Sequence, residues 1–420
     1  MKVIIVGAGF AGLQLARKLN NKQNIEVLLI DQNNYHQFQP LFYQVATAGL
    51  DASNISFPLR KIFQGSKNVR FRMAVLQEIK TAENKIITDI GEFSYDVIVL
   101  ATGADTNFFN NQNLIQHAFP MKSTSEALRL RHWLIENLEN ALNIKDNPSK
   151  LEQKLNIAVV GGGPTGVEVS GALAEMRNNI LPKDYPELDF TKMNIYLLEG
   201  SPRTLAAMSK KSSEQSRRYL EKLGVKVTTE THVKDYDGTT IFLADGNTIP
   251  AETVIWAAGI KGNIPPGIHP DLIARGNRIK VDRTNRIQGF DNIYVVGDLA
   301  YMETPKYPQG HPQVANVAIN QAAILAKNLI NQSIGNHKPL IEFSYHDKGS
   351  LATVGRNLAV VDIPHPKIHL GGWLAWLIWM LLHLMLILGV KNRLQILINW
   401  TYKYFTYDQS LRLLFKNYGD

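Results

Sequence analysis

Apolar and polar positions along this chain fall into two matching blocks, and each block predicts the same elements in the same order. Val3-Ile4-Ile5-Val6 is a short, β-branched apolar run of the kind that forms a buried parallel strand. Gly7-Ala8-Gly9-Phe10-Ala11-Gly12 follows, and Leu13, Leu15, Ala16 and Leu19 then keep helical spacing. A second apolar run, Val27-Leu28-Leu29-Ile30, ends in Asp31. The pattern returns at Ile157-Ala158-Val159-Val160, with the turn Gly161-Gly162-Gly163-Pro164-Thr165-Gly166, a helix over 167–177 and a strand over 194–198 that ends in Glu199. Each block closes on a buried strand with a small-residue turn, Ala101-Thr102-Gly103 in one and Ala257-Ala258-Gly259 in the other. Gly103 follows Gly7 by 96 residues, and Gly259 follows Gly161 by 98. One glycine turn could be chance, but two with the same strand, acid and closing turn are a duplication. The expected fold is α/β, with two Rossmann-like dinucleotide-binding domains.

The residue types explain what such units bind. The glycines allow a tight turn, close approach of a pyrophosphate, and close packing of helix on strand. An acid at the second strand's tip accepts from ribose hydroxyls, a role that falls to Asp31 and Glu199. An acid there also disfavours a 2′-phosphate, so Glu199 predicts a nucleotide without one.

Between and beyond the blocks the pattern is less regular. The polar-aromatic stretch 35–49 suits either a loop and short helix over a flat ligand or ordinary packing. The spacing predicts a connecting helix over 57–63, a strand pair over 69–78 with a turn near 81–84, an amphipathic helix over 124–143, and a polar linker at Asn147-Pro148-Ser149. A strand ending in Gly297-Asp298 precedes a helix over 313–328. Asp298 there can accept from a ribityl hydroxyl, and the helix N-terminus can stabilise negative charge on a reduced flavin ring.

Composition narrows the chemistry. With 420 residues, 45% of them hydrophobic, the chain can bury more than one core. It enters its first strand by residue 3 with no charged-plus-apolar leader ahead, so export is not expected. It has no cysteine, which removes disulfides, thiolate metal sites and dithiol redox centres. The eleven histidines offer no metal set; His365 and His369, four apart around Pro366, read as exposed loop residues. A net charge of +8 without a basic, aromatic-interleaved stripe gives no reason to expect nucleic acid. From 368 to 390 there is no Asp, Glu, Lys or Arg. Its length suits a membrane span. Trp373, Trp376 and Trp379, the mid-run His383 and glycines at 371, 372 and 389 argue instead for a helix lying in the interface. Lys391, Arg393, Lys403, Arg412 and Lys416 outnumber Asp408 and Asp420 beyond it, favouring anionic headgroups, and Trp400, Tyr402, Tyr404, Phe405 and Phe415 add apolar surface.

Together these residues resemble the type II NADH dehydrogenases, single-subunit NADH:quinone oxidoreductases among the two-dinucleotide-domain flavoproteins. The specific parts are the stretch from His36-Gln37-Phe38-Gln39-Pro40-Leu41 to Thr47, Gly163-Pro164-Thr165-Gly166-Val167-Glu168, Val296-Gly297-Asp298, Gly349 to Arg356, and the Trp- and His-bearing tail to Trp400. The resemblance implies a flavin domain in two parts (1–110 and 266–345), an NADH domain (111–265) and a C-terminal helical membrane-docking region (346–420). It implies FAD on Gly7, Gly9, Phe10, Ala11, Gly12, Asp31, Gln32, Pro40, Val75, Ala101, Thr102, Gly103, Gly297, Asp298, Val314 and Ala315. It implies NADH on Gly161, Gly163, Pro164, Thr165, Gly166, Glu199, Ala258 and Gly259. Hydride passes from NADH to FAD and two electrons go to a membrane quinone without proton pumping, with Glu168, Asn316, Asn320 and Gln321 as catalytic candidates. Glu168 can contact the nicotinamide, relay a proton, or simply answer the helix dipole. A homodimer docked peripherally on the cytoplasmic face of the cell membrane is expected. Two features depart from the family: Asn316 and Asn320 stand where it usually has glutamines, and Ala322 where glycine is common. Sulfide:quinone and dithiol reductases share the fold but need cysteines. A membrane-docked flavin sensor of low turnover, or another FAD- and NAD(P)H-dependent quinone reductase, is the alternative.

Overall fold

The computed structural model describes residues 1–336, 338–409 and 411–414. Phe415, Lys416 and Asp420 of the tail lie outside the described residues. The chain forms two compact units, one of 1–37, 57–105 and 260–346, the other of 38–56, 106–259 and 347–420.

In the first unit, five parallel strands lie in the order Ile293–Val295, Val97–Leu100, Lys2–Val6, Glu26–Asp31, Val69–Met73. Ile4, Ile5, Leu29, Ile30, Ile98 and Val99 are fully buried, as strands covered on both faces require. Helix Phe10–Leu19 turns Leu13, Leu15, Ala16 and Leu19 inward and packs on helix Ala315–Ser333. The expected strand pair over 69–78 is divided differently. Val69–Met73 joins the parallel sheet, because Val69 and Phe71 are its buried positions, while Leu76–Lys80 pairs with Lys85–Thr88 across the turn at Thr81–Glu83. The helix expected over 57–63 is only Leu59–Ile62, since Pro58 is extended (ψ 121°) and biases Phe57 away from helix.

The second unit repeats the parallel core with Val225–Thr228, Ile195–Leu198, Ile157–Val160 and Thr253–Trp256, in that order. Helix Thr124–Leu142 opens on a capping box made by Ser123 and Glu126. The polar stretch 147–149 is not a linker. It starts helix Pro148–Leu155, with Pro148 at the first helical position and the Asn147 side chain accepting from the Lys150 amide at 3.2 Å. The second glycine turn leads into helix Pro164–Asn179, three residues earlier than the apolar spacing suggests, again because proline suits a first turn. Against that helix packs an antiparallel sheet of Ser350–Gly355, Leu358–Ile363 and Ile368–Gly371. The approach is closest at Gly171, where any Cβ would collide with the Val354 carbonyl.

The uncharged run 368–390 is not one helix. Its start is the edge strand Ile368–Gly371, and helix Trp373–Leu386 stops at Ile387, so helix Val390–Thr406 begins afresh after Gly389. Gly372 and Gly389 both have positive φ (75° and 80°), which breaks the run where periodicity alone would extend it. Among the described residues no helix is long and apolar enough to cross a membrane. His369 is not an exposed loop residue. It lies on the edge strand with Nδ1 3.1 Å from Asp362 Oδ1 and 2.9 Å from Ser212 Oγ, and Nε2 2.7 Å from Gln215 Oε1.

Candidate active site

The two glycine turns fold alike because the same collisions constrain them. A Cβ on Gly7 or Gly161 would strike the carbonyl of Ala101 or Ala257, and one on Gly12 or Gly166 the carbonyl of Gly7 or Gly161. Gly9 and Gly163 are different: a Cβ there meets nothing within 4 Å. Each of these two caps its helix on the open side, where unpaired amides and the positive end of the helix dipole favour phosphate. Crowding behind the turn and open ground before it fit a dinucleotide in both units.

In the first unit the Asp31 carboxylate accepts from the amides of Ala8 and Asn33, both at 2.7 Å. Burial raises its pKa, and those two bonds pull it back. Phe10 meets the buried His36 ring edge-on at 5.5 Å. His36 Nδ1–H donates to the Ala8 carbonyl at 2.8 Å, and burial lowers its pKa, which keeps the ring neutral. Thr102 Oγ1 donates to the Asn263 carbonyl at 2.6 Å, and Gly103 accepts from the Asn263 amide at 3.0 Å. Gln32 is exposed, and Val75 is 47% exposed with its amide on Asp89. Gly297 opens a tight turn: its amide donates to Gln321 Oε1 at 2.8 Å, and Gln313 Nε2 donates to the Asp298 carbonyl at 2.9 Å. Val314 caps helix Ala315–Ser333, where Asn320 Nδ2 donates to both the carbonyl and Oδ1 of Asn316.

In the second unit Glu199 repeats the role of Asp31, accepting from the amides of Gly162 and Ser201, the latter at 2.6 Å. Pro164 and Thr165 are exposed ahead of it, and Gly259 accepts from the Asn107 amide at 3.2 Å, with Ala258 beside it. Pro40 falls in the short turn Gln39–Leu41 of this unit.

Glu168 follows the second turn closely but plays no part in it. It is the fifth residue of its helix rather than part of the first turn, so it does not serve the helix dipole. It is 8% exposed, and burial pushes its pKa up to about 8 despite the Thr353 amide and the Trp379 indole beside it. The carboxyl lines a cavity of ≈ 70 Å³ with Tyr43, Arg356, Trp376, Trp379 and Trp400. That wall is fixed by Trp400 Nε1–H, which donates to Gln44 Oε1 at 2.7 Å, and by Trp379 stacked on His383 at 4.1 Å. His383 Nδ1–H donates to the Trp379 carbonyl, and burial lowers its pKa to about 4. Sequence reasoning did not find these neighbours of Glu168. The available signal was Trp379 and His383 four apart in an otherwise apolar run.

Residues 1–322 match the family model described as pyridine nucleotide-disulphide oxidoreductase, and 347–406 match the NDH2 C-terminal domain. A type II NADH:quinone oxidoreductase of Mycobacterium tuberculosis is 34% identical, over 95% of this chain and 87% of that relative. The chain belongs to the type II NADH:quinone oxidoreductases. A further relative of that name, from Haemophilus influenzae, is 29% identical over 85% of this chain and 86% of its own. The structure of NDH2 from Plasmodium falciparum in complex with NADH superposes with a TM-score of 0.88 at 21% identity, covering 99% of each chain. The sulfide:quinone oxidoreductase of Aquifex aeolicus shares the fold with a TM-score of 0.68 at 18% identity, over 96% of this chain and 95% of that one. The type II enzyme described here is thus a flavoprotein that carries electrons from NADH through FAD to a quinone.

Proposed function

We propose that the enzyme reduces its quinone beside Glu168, and that the first unit's glycine turn holds FAD while the second unit's holds NADH. The observation that carries this reading is the buried carboxyl itself. Quinone reduction adds protons to developing oxyanions, and a carboxyl with a pKa of about 8 still holds its proton at neutral pH. FAD, when bound, supplies the redox chemistry, accepting the hydride of NADH and giving up two electrons to the quinone.

The chain's own groups do the rest. The turn around Gly9 receives one pyrophosphate and the turn around Gly163 the other, with Asp31 and Glu199 turned to the riboses. Gln321 is a positioning residue that holds the Gly297 turn, and Asn320 ties its amide to Asn316 one turn earlier in the same helix. Glu168 holds the proton that the quinone takes.

The apolar face of the two C-terminal helices supports peripheral attachment to a bilayer. Met385, Val390, Ile398 and Phe405 are 61 to 77% exposed, with Lys391 and Arg393 next to them in sequence. The cytoplasmic face, where NADH is supplied, and a homodimer complete the reading. Electron transfer is proposed to be non-electrogenic. Purified enzyme with FAD, NADH and quinone-containing vesicles tests it. Oxidation that depends on quinone and leaves the vesicle lumen's pH unchanged supports the proposal, whereas equal oxidation without quinone rejects it.

A further inference from the structure

The Glu168 carboxyl is largely buried, yet every turnover draws a proton from solvent. The balance is NADH + H⁺ + quinone giving NAD⁺ + quinol, so one of the two added protons comes from outside the nucleotide. A proton donor with no route to solvent would serve once.

The cavity beside Glu168 has the size for such a route, and polar groups punctuate its mostly apolar wall. At ≈ 70 Å³ it has room for ordered water, and its polar groups give that water partners. Glu175 lies two helical turns beyond Glu168 on the same helix and lines the same cavity. Its Oε1 accepts from the Arg356 amide, and its Oε2 is 3.9 Å from Lys403 Nζ. Those two side chains are 13% and 26% exposed, so the pair stands between the cavity and solvent. Arg356 is held between the rings of Tyr404 and Tyr407, 4.1 and 4.2 Å from their centres. Its Nε and Nη1 are buried with no protein acceptor, which marks where water belongs. Tyr43 is a poor rival carrier, because burial raises its pKa well above the ordinary range. Trp376, Trp379 and Trp400, also in the wall, carry no exchangeable acid, and Tyr404 and Tyr407 face Arg356 with their rings.

We propose that Glu175, with Lys403 beside it, is the intake through which solvent protons reach Glu168 by way of water in this cavity. The inference rests on the reading of Glu168 as proton donor. In each cycle the Glu168 O–H bond breaks as the quinone O–H bond forms. Cavity water then returns a proton to Glu168, and Glu175 replaces it from solvent.

The test is Glu175→Gln in the full-length holoenzyme, a variant that keeps an acceptor for the Arg356 amide. The quinone-reduction rate divided by the ferricyanide-reduction rate is expected to fall about tenfold. The solvent deuterium isotope effect on quinone reduction should rise, and a small weak acid such as acetic acid should partly restore the rate. An unchanged ratio, or a fall with neither isotope effect nor rescue, overturns the proposal. If that variant does not fold, Lys403→Met is judged by the same three readouts. Glu168→Gln separates the two readings. If it leaves the ratio unchanged, the role of Glu168 itself fails; if it lowers the ratio while Glu175→Gln does not, only the intake fails.

Discussion

Asp31 accepts a 2.7 Å hydrogen bond from the amide of Ala8, the residue between the first two glycines of the first unit's turn. Glu199 does the same for Gly162 in the second unit. In both units, therefore, the acid at the strand tip helps to hold the glycine turn, beyond the ribose role proposed for it. The open ground at Gly9 makes this testable. Gly9→Trp fills space that is empty of protein without disturbing the crowded side of the turn, so the variant should fold but purify without yellow colour. Flavin absorbance per folded chain is the measurement, and full occupancy would place the pyrophosphate elsewhere.

Glu199→Gln should raise relative use of NADPH chiefly through KM, since nucleotide binding changes and hydride transfer does not. A 2′-phosphate ~4 Å from a carboxylate costs on the order of 1–4 kcal/mol, according to local dielectric. Arg203 is poorly placed to offset it, because its Nη2 donates to the Ala206 carbonyl at 2.9 Å. Steady-state kinetics with both nucleotides decide; an unchanged preference means that a different residue reads the ribose.

Glu168 ties stability to pH in a defined direction. Its pKa rises from an ordinary 4.5 to about 8 on folding, so between those values the native state holds a proton that the unfolded chain has lost. Stability from this group therefore falls as pH rises through that window. Glu168→Gln should flatten the fall. Urea unfolding at several pH values compares the slopes, and equal slopes in both proteins would remove Glu168 as their source.

Replacing Val390, Ile398 and Phe405 together with glutamate should release the enzyme from vesicles of anionic lipid. All three side chains are more than 60% exposed, so little core packing is lost. NADH-dependent reduction of a soluble dye should persist. Co-sedimentation is the readout, and a variant that still pellets with vesicles places the docking face elsewhere.

Much of this protein was decided locally. A strand such as Val3-Ile4-Ile5-Val6, a glycine that alone tolerates a carbonyl against its Cα, and an acid at a strand tip act within some thirty residues. Spacing therefore reveals both dinucleotide units and their likeness to each other. Pro58 and Pro148 were legible in principle too, since each limits backbone conformation by itself, though the first shortened a helix and the second began one. What spacing could not give was the company kept by residues far apart in the chain. Burial raises the Glu168 pKa, and only hydrogen bonds from Thr353 and Trp379, more than 180 residues further on, pull it back, because desolvation depends on what packs over a group and not on its sequence neighbours. His369 likewise became part of a network only once residues from helix Lys210–Lys222 closed on it. The sequence by itself determined the two glycine turns and the acids at their strand tips. Tertiary packing alone decided which carboxyl is buried and shares a cavity with Glu175.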